Sequence, residues 1–259
     1  TCDGTTENVI SVKVVHQTPS SRWYSGSGIY RDVELIVTDA VHVSRNGTYV
    51  TTPNLATEKD GNVTVNVKTD VQNDSSAQAA AQIRTTVLDA EGKAVSEAVT
   101  TDVTLAANGT AEKEQTLKVN KPALWSTENP NLYYVQTEVL VGGKVKDTYK
   151  TTFGFRYINF DANTGFSLNG KNVKLKGVCM HHDQGALGAA SERDAVYRQV
   201  KKLKEMGCNA IRTSHNTPSS VLLEACNELG MMVMDETFDG WAFPKNDNSQ
   251  DFSTHFNQT

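Results

Sequence analysis

The sequence predicts a multidomain β plus α/β chain, in which an antiparallel β-sandwich of immunoglobulin type precedes the opening of a (β/α) barrel or doubly wound sheet. Two patterns carry this reading. Residues 41–152 hold about seven short runs in which apolar and polar residues alternate, separated by turn residues at regular spacing, which is the signature of a sandwich. Residues 172–236 then read strand, helix, strand, helix, strand, the order of parallel α/β architecture. A third observation bears on function. His181, His182, Asp183, His215 and Asn216 fall just past the ends of two successive strands, where parallel sheets gather their active sites.

Taken in order, residues 9–17 (VISVKVVHQ) alternate like a strand, and DVELIV after residue 31 predicts a second. Two or three strands cannot cover both faces of a core, so residues 1–40 read as the end of a larger β domain. Trp23, Tyr24 and Tyr30 could stack on a sugar, but aromatics more often fill interfaces, and packing between domains is the preferred reading. In 41–152 the strand runs are VHVSRNGTYV, NVTVNVKTDV, AQIRTTVLDA, AVSEAVTTDVTL, AEKEQTLKV, LYYVQTEVLV and VKDTYKTTF. Turns are predicted at Lys59-Asp60-Gly61, Asn73-Asp74-Ser75, Glu91-Gly92-Lys93, Asn108-Gly109 and Gly142-Gly143. No cluster of titratable groups stands out there, so this part reads as scaffold.

The pattern changes around Phe153-Gly154-Phe155-Arg156. After YINFD and the turn Asn169-Gly170, the run NVKLKGVCM is mostly apolar, as a buried parallel strand should be. Ser191 and Asp194 resemble a capping box, Val196, Val200 and Leu203 mark one face of a helix, and Gly207 ends it. CNAIRTS is the second strand. Thr217-Pro218 starts a second helix with Leu222, Cys226 and Leu229 on one face and Gly230 as its stop. MMVMDE is the third strand.

Composition narrows the partners. Lys plus Arg number 25 and Asp plus Glu 30, a net charge of −5, which argues against nucleic acid or an anionic membrane as the main partner. No apolar stretch approaches the ~20 residues that span a bilayer. The start TCDGTTENVI shows no basic-then-apolar export signal, and the compartment stays open between cytoplasm, periplasm and secretion. Cys2, Cys179, Cys208 and Cys226 form no CxxC pair, so buried free thiols are expected rather than zinc or a disulfide framework. The sequons at Asn46, Asn62, Asn73, Asn108 and Asn257 suit a chain rich in Thr and Asn and matter only on a eukaryotic secretory route. Adjacent strand residues point to opposite faces, so His181 and His182 chelate one zinc ion poorly.

The segments WYSGSGIYRDV, LWSTENPNLYYV, FGFR, FSLNGKNVKLKGVCMHHD, GCNAIRTSHN and VMDET resemble, in sequence and order, glycoside hydrolase family 2, and within it the β-galactosidases. β-Glucuronidases share the RTSH and DET patterns. The resemblance implies a sugar-binding jelly roll ending at residues 1–40, an immunoglobulin-like sandwich at 41–152, and the start of a TIM barrel at 153–259. It implies retaining hydrolysis of terminal β-galactosides by two glutamates held ~5–5.5 Å apart. In this family the acid/base ends the fourth barrel strand and the nucleophile the seventh, so both are expected beyond residue 259 and the chain alone is expected to be inactive.

Residue by residue, the resemblance makes His181 and His215 ligands of sugar hydroxyls that stabilise an oxocarbenium-like transition state. Asp183 and Asn216 are further substrate candidates, and Trp241 lines the pocket or packs. Arg212 is implied to order the catalytic glutamates, while Asp235 and Glu236 either pair with Arg212 or meet substrate. Metal-dependent members carry a Glu and a His after that acidic pair, where this chain has Thr237, Phe238, Asp239, Gly240 and Trp241. No cofactor is therefore assigned, and magnesium is expected, if at all, in a longer parent protein, which the resemblance also allows to be a homo-oligomer. A carbohydrate-binding sandwich without catalysis and a metal-dependent barrel hydrolase stand as the competing functions.

Overall fold

The structure, a computed structural model, describes residues 7–15 and 28–237. Seven strands build the sandwich: β1 (Val41–Thr51), β2 (Asn62–Asn73), β3 (Ala79–Leu88), β4 (Val99–Leu105), β5 (Gly109–Asn120), β6 (Tyr133–Val141) and β7 (Lys144–Phe153). They form two antiparallel sheets, ordered β1-β2-β5 and β4-β3-β6-β7. Alternation sets which face turns inward. Along β2, Val63, Val65, Val67, Thr69 and Val71 are all buried while their neighbours are wetter. A slip of one residue would expose that entire set, and each buried valine contributes ~1.5–3 kcal/mol. Gly142 and Gly143, both at positive φ, make the two-residue turn between β6 and β7, the geometry that matches strand twist.

The core divides into two apolar clusters, one around Val65, Val87 and Phe155, the other around Val71, Ile83 and Val139. Between them runs a polar layer of Thr69, Thr85, Gln115 and Thr137, all buried. Thr85 Oγ1 donates to Gln115 Oε1 at 2.6 Å, and Gln115 Nε2 lies 3.0 Å from both the Ile83 and Val99 carbonyls. Asn73 is fully buried and donates its amide to the Ala77 and Ala106 carbonyls, so this sequon is spent on structure.

Past the sandwich, β8 (Ile158–Asp161), β9 (Gly165–Leu168) and β10 (Lys171–Asn172) form a small antiparallel meander. A parallel sheet follows: β11 (Gly177–Met180), β12 (Ala210–Thr213) and β13 (Met232–Met234), with β12 in the centre. Connecting them are α2 (Arg193–Glu205) and α3 (Ser220–Leu229); a single-turn helix, α1 (Leu55–Glu58), sits earlier in the sandwich. Val196, Val200, Leu222 and Cys226 close a core with Ile211 between the helices and the sheet. The fold is thus an immunoglobulin-like sandwich joined to the start of a (β/α) barrel.

Several local expectations are corrected. The described parts of residues 1–40 contain no strand, so the runs expected as strands at 9–17 and after residue 31 form none at 9–15 and 32–37; residues 16 and 17 lie outside the described residues, and the jelly-roll end rests on the resemblance alone. Alternation makes a strand only when a neighbour completes the ladder, and Ile10 and Leu35 instead stand 90% and 89% exposed. The run NVKLKGVCM is a buried strand only on paper. Lys171 and Asn172 turn back onto β9, the parallel part begins at Gly177, and as an edge β11 keeps Cys179 exposed. Helix α2 is capped at Glu192 with no side-chain bond, so no capping box forms at Ser191. Helix α3 begins two residues later than expected, because Ser219 accepts the Leu222 amide as N-cap and Pro218 falls just outside.

One sandwich loop positions the barrel start. Trp125 is buried with Leu168 and Met232. Its indole Nε1 donates to the Asn227 carbonyl in α3 at 3.0 Å, its own carbonyl accepts from Asn169 Nδ2 at 2.9 Å, and the Arg156 guanidinium lies over its ring. Lys204 of α2 reaches the carbonyls of Thr127 and Gly230.

Candidate active-site rim

Strand β12 aims the candidate residues. Ile211 and Thr213 are buried on the side facing the helices. Arg212 therefore takes the opposite face, in register with Cys179 on β11 and Met234 on β13. Its guanidinium grips the Glu236 carboxylate and lies 3.6 Å from the Cys179 sulfur. Just past the strand, the Ser214–His215 peptide is cis, and His215 Nδ1 meets the other Glu236 oxygen at 2.8 Å. Arg212 NH2 stands 3.4 Å from the same Nδ1. Glu236 is held in turn through its backbone, whose N–H donates to Thr213 Oγ1 at 2.8 Å. Burial pushes the Glu236 carboxyl up, but the hydrogen bonds from His215 and Arg212 together outweigh it and hold the group below the ordinary carboxylate range.

The His181 ring packs edge-on against His215, centroids 5.6 Å apart at 77°. Neighbouring His182 goes elsewhere, to Tyr30 at 5.9 Å; desolvation, with the nearby charges of Arg31 and His181, lowers its pKa. The two adjacent histidines, just past the end of β11, thus take different ring partners. Among the described residues no group of three His, Cys, Asp or Glu could hold a metal. Positions 238–241, where the magnesium ligands of related proteins were expected, lie outside the described residues.

Of the predicted residues, His181, Arg212, His215 and Glu236 are brought together. The acidic pair divides: Glu236 takes Arg212, whereas Asp235 lies 3.5 Å from the Thr213 hydroxyl. Asp183 closes a local turn by accepting the Gly185 amide at 2.8 Å. Asn216 is exposed, its amide donating to the Thr213 carbonyl. Trp241, like Trp23 and Tyr24, lies outside the described residues. A cavity of about 20 Å³, lined among others by His181, His182, Ser191 and Thr213, sits behind this rim; it has room for a water, not a sugar. Sequence reasoning missed Arg31. Its NH2 donates to the Thr217 carbonyl at 2.5 Å while Ser191 N donates to the Tyr30 carbonyl at 3.0 Å, so residues 30 and 31 bridge the loops after β11 and β12. The available signal was the aromatic segment around Tyr30, whose ring lies against His182.

An immunoglobulin-like sandwich carrying the first strands of a TIM barrel, with histidines and an arginine–carboxylate pair at the strand ends, defines the architecture of a glycoside hydrolase. The chain belongs to glycosyl hydrolase family 2: residues 41–156 match that family, and residues 162–257 match its TIM barrel domain. It is 41% identical over 252 residues to the β-galactosidase BoGH2A of Bacteroides ovatus, covering 97% of this chain and 29% of that protein. To a β-glucuronidase of Bacteroides fragilis it is 30% identical over 215 residues, covering 81% of this chain and 30% of that one. A crystal structure of a family 2 member from Bacteroides cellulosilyticus superposes with a TM-score of 0.80 at 42% identity, over 85% of this chain and 30% of the other. The chain therefore spans under a third of the length of these relatives.

Proposed function

We propose that this chain is part of a retaining exo-glycosidase that removes terminal β-D-galactosyl residues. The observation that supports it is the joined set His181, His215, Arg212 and Glu236 at the carboxyl ends of parallel strands in a chain of this family. In this reading the two imidazoles accept and donate hydrogen bonds to sugar hydroxyls that tighten as the ring flattens toward an oxocarbenium ion. Arg212 orders carboxylates at the floor of the site. The acid/base and nucleophile glutamates, ~5–5.5 Å apart for retention, lie outside residues 1–259, so this segment supplies the grip and not the bond-breaking acids. Terminal β-glucuronides are the second reading, favoured by the β-glucuronidase among the relatives.

The test is hydrolysis of 4-nitrophenyl β-D-galactoside and β-D-glucuronide by the full-length protein, beside residues 1–259 alone. The expected outcome is galactoside turnover by the full-length protein, a first-formed product of β configuration, and no turnover by the segment. Preference for the glucuronide selects the second reading. Sugar binding without cleavage by the full-length protein points to a carbohydrate-binding module and defeats both.

A further inference from the structure

We propose that Tyr30 and Arg31 are positioning residues that clamp the loops carrying the rim histidines, so that a segment far earlier in the chain sets the geometry of the sugar grip. Contacts to both loops converge on this pair. The Tyr30 carbonyl accepts from the Ser191 amide at 3.0 Å, which ties down the end of the loop that leaves β11. The Tyr30 ring lies against His182 in the same loop, centroids 5.9 Å apart, and the Arg31 guanidinium lies over the Tyr30 ring at 5.3 Å. Arg31 Nη2 donates to the carbonyl of Thr217, two residues past His215, at 2.5 Å. Thr217 passes the hold on, since its amide and its hydroxyl both donate to the Thr237 carbonyl, at 3.2 and 3.1 Å. The pair thus meets the loops after β11 and β12 directly, and the chain after β13 through Thr217.

No ladder places these loops. Residues 181–192 hold a single 3-10 turn, Gly185–Leu187, and 214–219 hold neither helix nor strand. Side chains on loops are placed less sharply than those on strands, and a shift of about 1 Å in a positioned group can cost about 100-fold in rate. A contact from outside restricts both loops at once. Arginine suits the task because its charge can lie over an aromatic ring while one of its N–H groups donates elsewhere. The effect of the clamp on turnover rests on the glycosidase reading; the clamp itself does not.

Amide hydrogen exchange read by mass spectrometry on the full-length protein tests the clamp. In Arg31→Met, which keeps an apolar stem and loses the donor, amides in 181–192 and 214–218 should exchange faster while those in 222–229 of α3 keep their wild-type rate. Unchanged exchange in both loops overturns the proposal, and so does an equal acceleration everywhere, which marks general destabilisation. Tyr30→Leu keeps the carbonyl that Ser191 uses and decides the matter if Arg31→Met does not fold. It should speed exchange around residue 182, and no change there overturns the proposal. For the positioning role, Arg31→Met should lower kcat by about 10- to 100-fold with KM changed much less. Gly230→Ala, at the opposite end of α3 from the rim, should keep the wild-type kcat. An unchanged kcat in Arg31→Met, or an equal loss in Gly230→Ala, overturns that role. If the wild type turns over no glycoside, the functional reading fails while the exchange rates still decide the clamp.

Discussion

Glu236 is the residue on which the rim converges, and its charge has a measurable signature. Its folded pKa lies below the ordinary value, so the pairing stabilises the protein above the unfolded carboxylate pKa of about 4.3. That stability is lost as pH falls through the folded value. The urea-unfolding difference between wild type and Glu236→Gln should be full at pH 6–7 and shrink below about pH 4; a difference that stays constant from neutral pH to pH 3 contradicts the pairing. At this scale the sequence was partly readable. His181 and His215 stood out because strand ends in parallel sheets point polar groups at a shared space, while Arg212, inside β12, was implied only by the family resemblance. The sharing of Glu236 between Arg212 and His215 was not readable, since it depends on strand register, and neither was Arg31, whose partner Thr217 is 186 residues away.

Strands and helices were legible wherever one face is buried against a neighbour already implied by the pattern. The seven sandwich runs became seven strands for that reason, and Val196, Val200, Leu222 and Cys226 became the faces of two helices. Ends were less legible, because a cap depends on one side chain finding one amide: Ser219 took the role that Thr217-Pro218 suggested, and α2 began at Glu192 without a side-chain cap. Gly230 shows how an element end ties into the wider structure. It closes α3 in the left-handed conformation, and a Cβ there would collide with the Thr127 carbonyl. Gly230→Ala should cost at least ~1–2 kcal/mol from the backbone alone, against about 1 kcal/mol for loss of the Ser219 cap in Ser219→Ala. Denaturant unfolding of the two variants checks the ranking; equal costs would mean the loop gives way and the contact with Thr127 is soft.

For the molecule as a whole, the parallel sheet is the open question of stability. With β12 between two partners, β11 and β13 are edges among the described residues, and Met234 stands 56% exposed. Ile10, Val33, Leu35 and Val37 add exposed apolar surface. Unpaired edges and bare apolar strips invite association between copies. Residues 1–259 alone should therefore self-associate at micromolar concentration in light scattering coupled to size exclusion; a monodisperse monomer with slow amide exchange across 177–234 would refute this. The absence of strands from the described residues before 41 has the same cause. Their apolar alternation was real, but a ladder is a property of two strands and cannot be inferred from one.

The grip of Trp125, Thr127 and Lys204 on the base of α3 has a consequence during synthesis. The sandwich leaves the ribosome first and can complete its own core, since domains fold as units in the order they emerge. Its 124–131 loop is then a finished wall against which each nascent βα unit can dock, one at a time, so the growing barrel acquires a nucleation surface before it has enough strands to close.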